Sequence, residues 1–212
     1  MSDGRSGGTG DGRSGGTGDG RSDGHSDGHG DGRSGGPGAG RGTGTGGGRG
    51  DGMRRYGELM ALAAERVLDA AERDEVDRLT STGGGLDATL GTRYVEVGPG
   101  RVVVRLEVTD RHLQPWGVTN GGVYCSLGES TASIASFIAA GAEAPVMGIV
   151  NETQFLRPSV AGDVIVSTAV PVHLGRTSHL WRVEHVNEAT GKMCAVTQLR
   201  TTVLVDGARG RR

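Results

Sequence analysis

The order of elements legible in this sequence predicts an α+β domain in which an antiparallel sheet wraps one long helix. Three observations carry that prediction. Two strand-like runs precede a single long helical stretch, four more strand-like runs follow it, and glycine or proline punctuates the joints between them. Strands interrupted by one long helix can bury that helix's apolar stripe against their own sheet.

Taken in order, the chain begins with a segment that should form no element. Residues 1–52 hold 24 of the 42 glycines and no Val, Ile, Leu, Phe, Tyr or Trp, and DGRSGGTG occurs at both Asp3–Gly10 and Asp11–Gly18. With almost nothing to bury, such a segment cannot offset the entropy of ordering its backbone, so a disordered tail is expected. The repeats lack the aspartate and the apolar residue that a calcium-binding β-roll would require, with Gly12 at the aspartate position. His25 and His29 offer only two donors to a metal. Residues 53–212 are then one domain of a size that can hold a real core.

From Met53 to about Leu79, Leu59, Leu62, Val67, Leu68, Ala71 and Val76 recur at roughly helical spacing amid Arg and Glu, which predicts an amphipathic lead-in helix ended by STGGG. Thr92–Val97 and Arg101–Val108 flank the turn signal GPG. In the second run Val102, Val104, Leu106 and Val108 alternate with charged residues, as in a strand with one buried face. The loop TDRHLQPWGV leads into a helix from about Asn120 to Gly141. Strands are expected at Val146–Leu156, Asp163–His173, Ser178–Val186 and Met193–Val205.

Composition narrows the function classes. A formal net charge of −2 lacks the basic excess of most nucleic-acid or membrane-surface binders. There is no long apolar run to span a membrane and no apolar signal-peptide region at the start. Cys125 and Cys194 fit no metal spacing, and two reduced thiols favour the cytoplasm. His112, His173, His179 and His185 lack a convincing triad partner and read as structural.

One stretch carries chemistry: QPWGVTNGGVYCSLGESTAS, Gln114–Ser133. On a helical wheel Val123, Leu127, Ile134, Phe137 and Ile138 form an apolar stripe expected to face the sheet. Away from it lie Gly122, Cys125, Ser126, Glu129, Ala132, Ser133 and Ser136, nearly all small. Such a face lets a backbone or a ligand approach closely; equally, it is a packing seam with Glu129 at its solvated edge. Asn120-Gly121-Gly122 stands at the helix start, where N–H groups lack intrahelical partners and the dipole is positive. That end can hold an anion or polarise a carbonyl, and Asn120 also suits a plain cap.

The same stretch resembles the signature of hotdog-fold acyl-CoA thioesterases, the group of the phenylacetyl-CoA and 4-hydroxybenzoyl-CoA thioesterases. NETQFLRP, the Gly162 turn, LGRTSH and NEATGKMCAVTQLRTTV extend the resemblance over about Leu86–Val205. It implies hydrolysis of an acyl-CoA substrate without metal or redox cofactor. It implies Glu129 as nucleophile or general base, the Gly121 amide as oxyanion hole, Gln114 and Asn120 orienting the carbonyl, and Ser133 positioning water or Glu129. Asn120 stands where the family most often has His, and cannot take a proton. Arg157, Arg176 and Arg182 are candidates for the coenzyme A phosphates, Gly122 for leaving room at the amide, and Trp116 for a pocket wall.

Eight residues of helix span about 12 Å, more than twice the reach of a Glu side chain. Gly121 and Glu129 of one chain therefore cannot easily grip one thioester, and a homodimer or dimer of dimers with shared sites is expected, as the family also implies. The competing readings are a hotdog dehydratase or hydratase, which would usually need a His, and a non-catalytic acyl-CoA-binding hotdog, which would not need the carboxylate.

Overall fold

The computed structural model describes residues 47–204. The tail expected over residues 1–52 therefore lies outside the described residues for all but its last six positions. Helix α1 runs Gly47–Glu65 and so begins within that glycine-rich segment, where Gly52 sits against Leu79.

The single lead-in helix expected from the periodicity is two helices. After α1, the chain turns and α2 spans Ala70–Gly83. The break is built by Asp69, whose side chain accepts from Glu72 N (2.9 Å) while the Glu72 carboxylate accepts from Asp69 N (2.9 Å). This reciprocal pair satisfies two N–H groups that a helix start leaves open. Leu68 N donates to Val97 O (2.9 Å), pinning the turn to the sheet. A short α3, Leu86–Leu90, follows.

The sheet consists of β1 Arg93–Gly98, β2 Arg101–Glu107, β3 Val146–Phe155, β4 Val164–Leu174, β5 Ser178–Asn187 and β6 Met193–Val203. Its order is β1-β2-β4-β5-β6-β3, antiparallel throughout, so among the described residues β3 is an edge strand joined only to β6. The long helix α4, Gly121–Ala139, packs across it, and a single apolar cluster joins α1, α2, α4 and the sheet, including Leu59, Met60, Leu127, Ile138, Trp181 and Leu199. This sheet around one helix is the α+β hotdog architecture expected from the sequence.

The face that α4 turns to its surroundings differs from the wheel. Thr131, Ala132 and Ser136 are fully buried, whereas Ile134 and Phe137 are only partly so. Small residues let the helix lie closer to the sheet than an aliphatic stripe would. A Cβ at Gly128 would fall within 2.6–2.7 Å of Thr197 on β6. Ser136 Oγ meets His179 Nδ1 (2.8 Å) and Thr201 Oγ1 (2.6 Å).

Candidate active site

α4 begins at Gly121, and Asn120 caps it by accepting from Gly122 N at 2.8 Å. The cap reaches past Gly121, whose N–H finds no acceptor among the described residues. The Phe155 ring lies against the Gly121 Cα. Gln114, Gly121, Tyr124, Phe155 and Arg157 line an open hollow of about 430 Å³, and Arg157 is held there by donating to Met193 O at 2.9 Å. A larger hollow of about 1020 Å³ opens among α1, α2 and α3, but none of the expected site residues lines it.

Glu129 lies two turns along α4, half-buried, with its carboxylate against β3. It is the one charged side chain of α4. Asn151 Nδ2 donates to Glu129 Oε2 (3.0 Å) and to the Cys125 carbonyl (3.0 Å). Oε1 rests on Gly148, in the space a Cβ would fill. The β3–β6 register slips between Gly148 and Val150, so a bulge sits beside the carboxylate. Among the described residues no Lys, Arg or His pairs with Glu129. Asn151 and Gly148 were not singled out from sequence. Within NETQFLRP, residue type alone offers only Arg157 as a site candidate, since nothing local ties an exposed strand Asn to a helix 22 residues earlier.

The remaining expected residues are dispersed. Ser133 is half-buried one turn beyond Glu129. Arg176 is exposed in the β4–β5 turn, Arg182 pairs with Glu184 (2.8 Å), and Trp116 is 84% exposed; these three line neither hollow. His112, His179 and His185 are buried and fit structural roles, whereas His173 is exposed on β4. His112 sits between Thr109 and the Leu90 carbonyl, and burial lowers its pKa. Burial likewise lowers His179 and pushes His185 down to about 3. Tyr124, which meets Ser159 Oγ at 2.7 Å, is pushed up to about 12 by burial. His185 is thus neutral and Tyr124 protonated near pH 7, and neither is poised as a base.

Residues 117–194 match the family model of the thioesterase superfamily. Over 110 residues the chain is 33% identical to the 1,4-dihydroxy-2-naphthoyl-CoA hydrolase of Listeria monocytogenes, covering 52% of this chain and 89% of that one. The chain belongs to the thioesterase superfamily. Among solved structures of this superfamily's shape, S. sahachiroi AziG is 38% identical with a TM-score of 0.55, over 57% of this chain and 97% of that one. A mutant form of the phenylacetic acid degradation protein PaaI from Thermus thermophilus is 30% identical with a TM-score of 0.51, over 56% of this chain and 97% of that one. The matched part of the thioesterase-superfamily chain holds Gly121, Glu129, Gly148 and Asn151. The named relatives support a thioester-hydrolase-like protein.

Proposed function

We propose that this protein hydrolyses an acyl-CoA thioester to a free acid and coenzyme A, at sites shared between two chains. The observation that carries this reading is the Glu129 carboxylate, hydrogen-bonded through one oxygen, unpaired with any cation among the described residues, and on the same helix as a Gly121 N–H that is open among those residues. As a base, Glu129 takes a proton from water as the water oxygen bonds to the thioester carbon. The C–S bond then breaks and the proton passes to the leaving thiolate. As a nucleophile, it bonds to the thioester carbon and expels the coenzyme A thiolate, forming an acyl–carboxylate anhydride. Water then opens the anhydride to the free acid and the regenerated carboxylate, and the water's spare proton goes to the thiolate. In both routes the carbonyl oxygen gains negative charge, which the Gly121 N–H at the positive end of α4 stabilises. Gln114 and Arg157 line the same hollow as Gly121, suited to the carbonyl and to the phosphates respectively.

The two groups are separated by about 12 Å of helix, so each site takes its N–H from one chain and its carboxylate from another. The edge strand β3 supplies the means of pairing. Its outer ladder groups are open, and Met147, Ile149, Val150 and Phe155 on it are 52–57% exposed.

The test is Glu129→Gln, assayed by free-thiol release on a panel of acyl-CoAs. The substitution keeps shape but removes base and nucleophile. We expect kcat to fall by roughly 10²–10⁴-fold with KM little changed. Turnover close to wild type would mean the carboxylate does no chemistry.

A further inference from the structure

The amide that holds Glu129 is itself held, and by something deep in the sheet. Asn151 Oδ1 accepts from Thr153 Oγ1 (2.9 Å). Thr153 Oγ1 lies 2.8 Å from Thr197 Oγ1, its direct partner across the β3–β6 ladder. Thr197 Oγ1 lies 3.0 Å from His185 Nε2 on β5, and His185 Nδ1 lies 2.8 Å from Ser167 Oγ on β4. Ser167, His185 and Thr197 are completely buried. A line of polar contacts thus crosses β4, β5, β6 and β3 and ends on the carboxylate of α4.

Its direction follows from counting protons. Asn151 must turn its NH₂ toward α4, because both groups it meets there, the Cys125 carbonyl and the Glu129 carboxylate, only accept. Its Oδ1 is then the acceptor for the Thr153 hydroxyl. Thr153 has spent its one proton, so Thr197 donates to it. Thr197 has then spent its own, so His185 donates through Nε2–H. Burial keeps the imidazole neutral, which leaves Nδ1 to accept from the Ser167 hydroxyl. The opposite tautomer would leave Asn151 Oδ1 without its donor in this line.

We infer that Asn151 is a positioning residue for Glu129, and that the one-way chain Ser167–His185–Thr197–Thr153 fixes its amide with the donor toward the carboxylate. This inference rests on the reading of Glu129 as the reacting group. Tying Oε2 leaves Oε1, beside the Gly148 backbone, as the oxygen free to act. Each bond in a one-way chain polarises the next, which strengthens the last donor at no cost in net charge. A rigid support of this kind keeps the reacting atom within the narrow range of positions that catalysis tolerates.

Two measurements test it. The first is hydrolysis of benzoyl-CoA, followed by thiol release, with thermal melting alongside. Asn151→Asp sets a carboxylate against Glu129 and the Cys125 carbonyl, and should lower kcat about a hundredfold. Asn151→Ala should lower it about tenfold, and Thr153→Val, which keeps shape but not the hydroxyl, by a smaller factor that Thr153→Ser restores. KM should stay nearly constant throughout, and so should the melting temperature of the variants at exposed Asn151, which a purely structural role would not predict. Thr153→Val also strands the buried Thr197 hydroxyl and should melt lower, as Thr153→Ser restores. The second needs no substrate: ¹⁵N NMR should show His185 as the Nε2–H tautomer, and Glu129→Gln should move the Asn151 side-chain amide signals. Wild-type kcat in Asn151→Ala and Thr153→Val, with Glu129→Gln inactive, overturns this inference alone. An Nδ1–H tautomer reverses the chain and also overturns it. Full activity in Glu129→Gln removes the reading beneath it.

Discussion

A Cβ built at Gly148 would fall on Glu129 Oε1, on an exposed strand segment whose ladder is interrupted at the next residue. Space there is taken by the tip of a flexible side chain rather than by backbone, so a methyl group would displace the carboxylate without unfolding the strand. Gly148→Ala should therefore leave the melting temperature nearly unchanged while kcat drops about ten- to a hundredfold, as expected for a reacting group shifted by an ångström or so. Steady-state kinetics beside a thermal melt checks both halves, and an unaffected kcat would mean that the oxygen resting on Gly148 takes no part. At this scale the sequence is legible only where a group acts through its neighbours in the chain. Gly121 at the start of α4 and Asn120 as its cap follow from local helix rules and stand where those rules put them. Asn151 does not follow, because its role depends on a strand register that contains a bulge and on a partner brought near only by folding.

Elements show the same division between local and long-range causes. The strands and α4 were readable nearly to their ends, since alternation, glycine turns and the Asn-Gly-Gly start are all local signals. The split between α1 and α2 was also written locally, in the Asp69-to-Glu72 capping box, but the surrounding apolar spacing continued through it. The face α4 presents to the sheet was not readable, because hydrophobicity alone does not distinguish a small residue in a close contact from one at a solvated edge. The contacts that join strands beneath α4 include His185, which links β4 to β6. Its pKa falls from an ordinary value near 6.5 in the unfolded chain to about 3 in the fold, so unfolding takes up a proton below pH 6.5. A depressed folded pKa gives stability that is present above the unfolded value and lost as pH falls toward the folded one. His185 alone should cost about 2 kcal/mol of stability between pH 7 and pH 5. His112 and His179 shift in the same direction. Urea unfolding at the two pH values measures the loss, and equal stabilities would show that His185 is protonated in the fold.

At the scale of the whole molecule, the separation of Gly121 from Glu129 along α4 turns a catalytic proposal into an assembly proposal. Chains that share sites can complement one another, and α4 offers a clean way to remove one contribution. Gly121→Pro deletes the N–H at the first position of the helix, where proline's fixed φ is suited and no intrahelical bond is lost. Asn120 already has φ −64° and ψ 135°, the extended geometry that a following proline demands. The ring must push aside Phe155, which is 56% exposed and has solvent to move into. Gly121→Pro chains keep their carboxylate, and Glu129→Gln chains keep their N–H. Each parent should be nearly inactive alone. Unfolded and refolded together in equal amounts, they should give half heterodimers, each with one intact site of two, and so about a quarter of wild-type activity. Light scattering should show the same dimeric mass, or twice it, for both parents and the mixture. A site completed within one chain cannot be rescued in this way, so a mixture as inactive as its parents, with the dimer mass intact, would exclude sharing between chains.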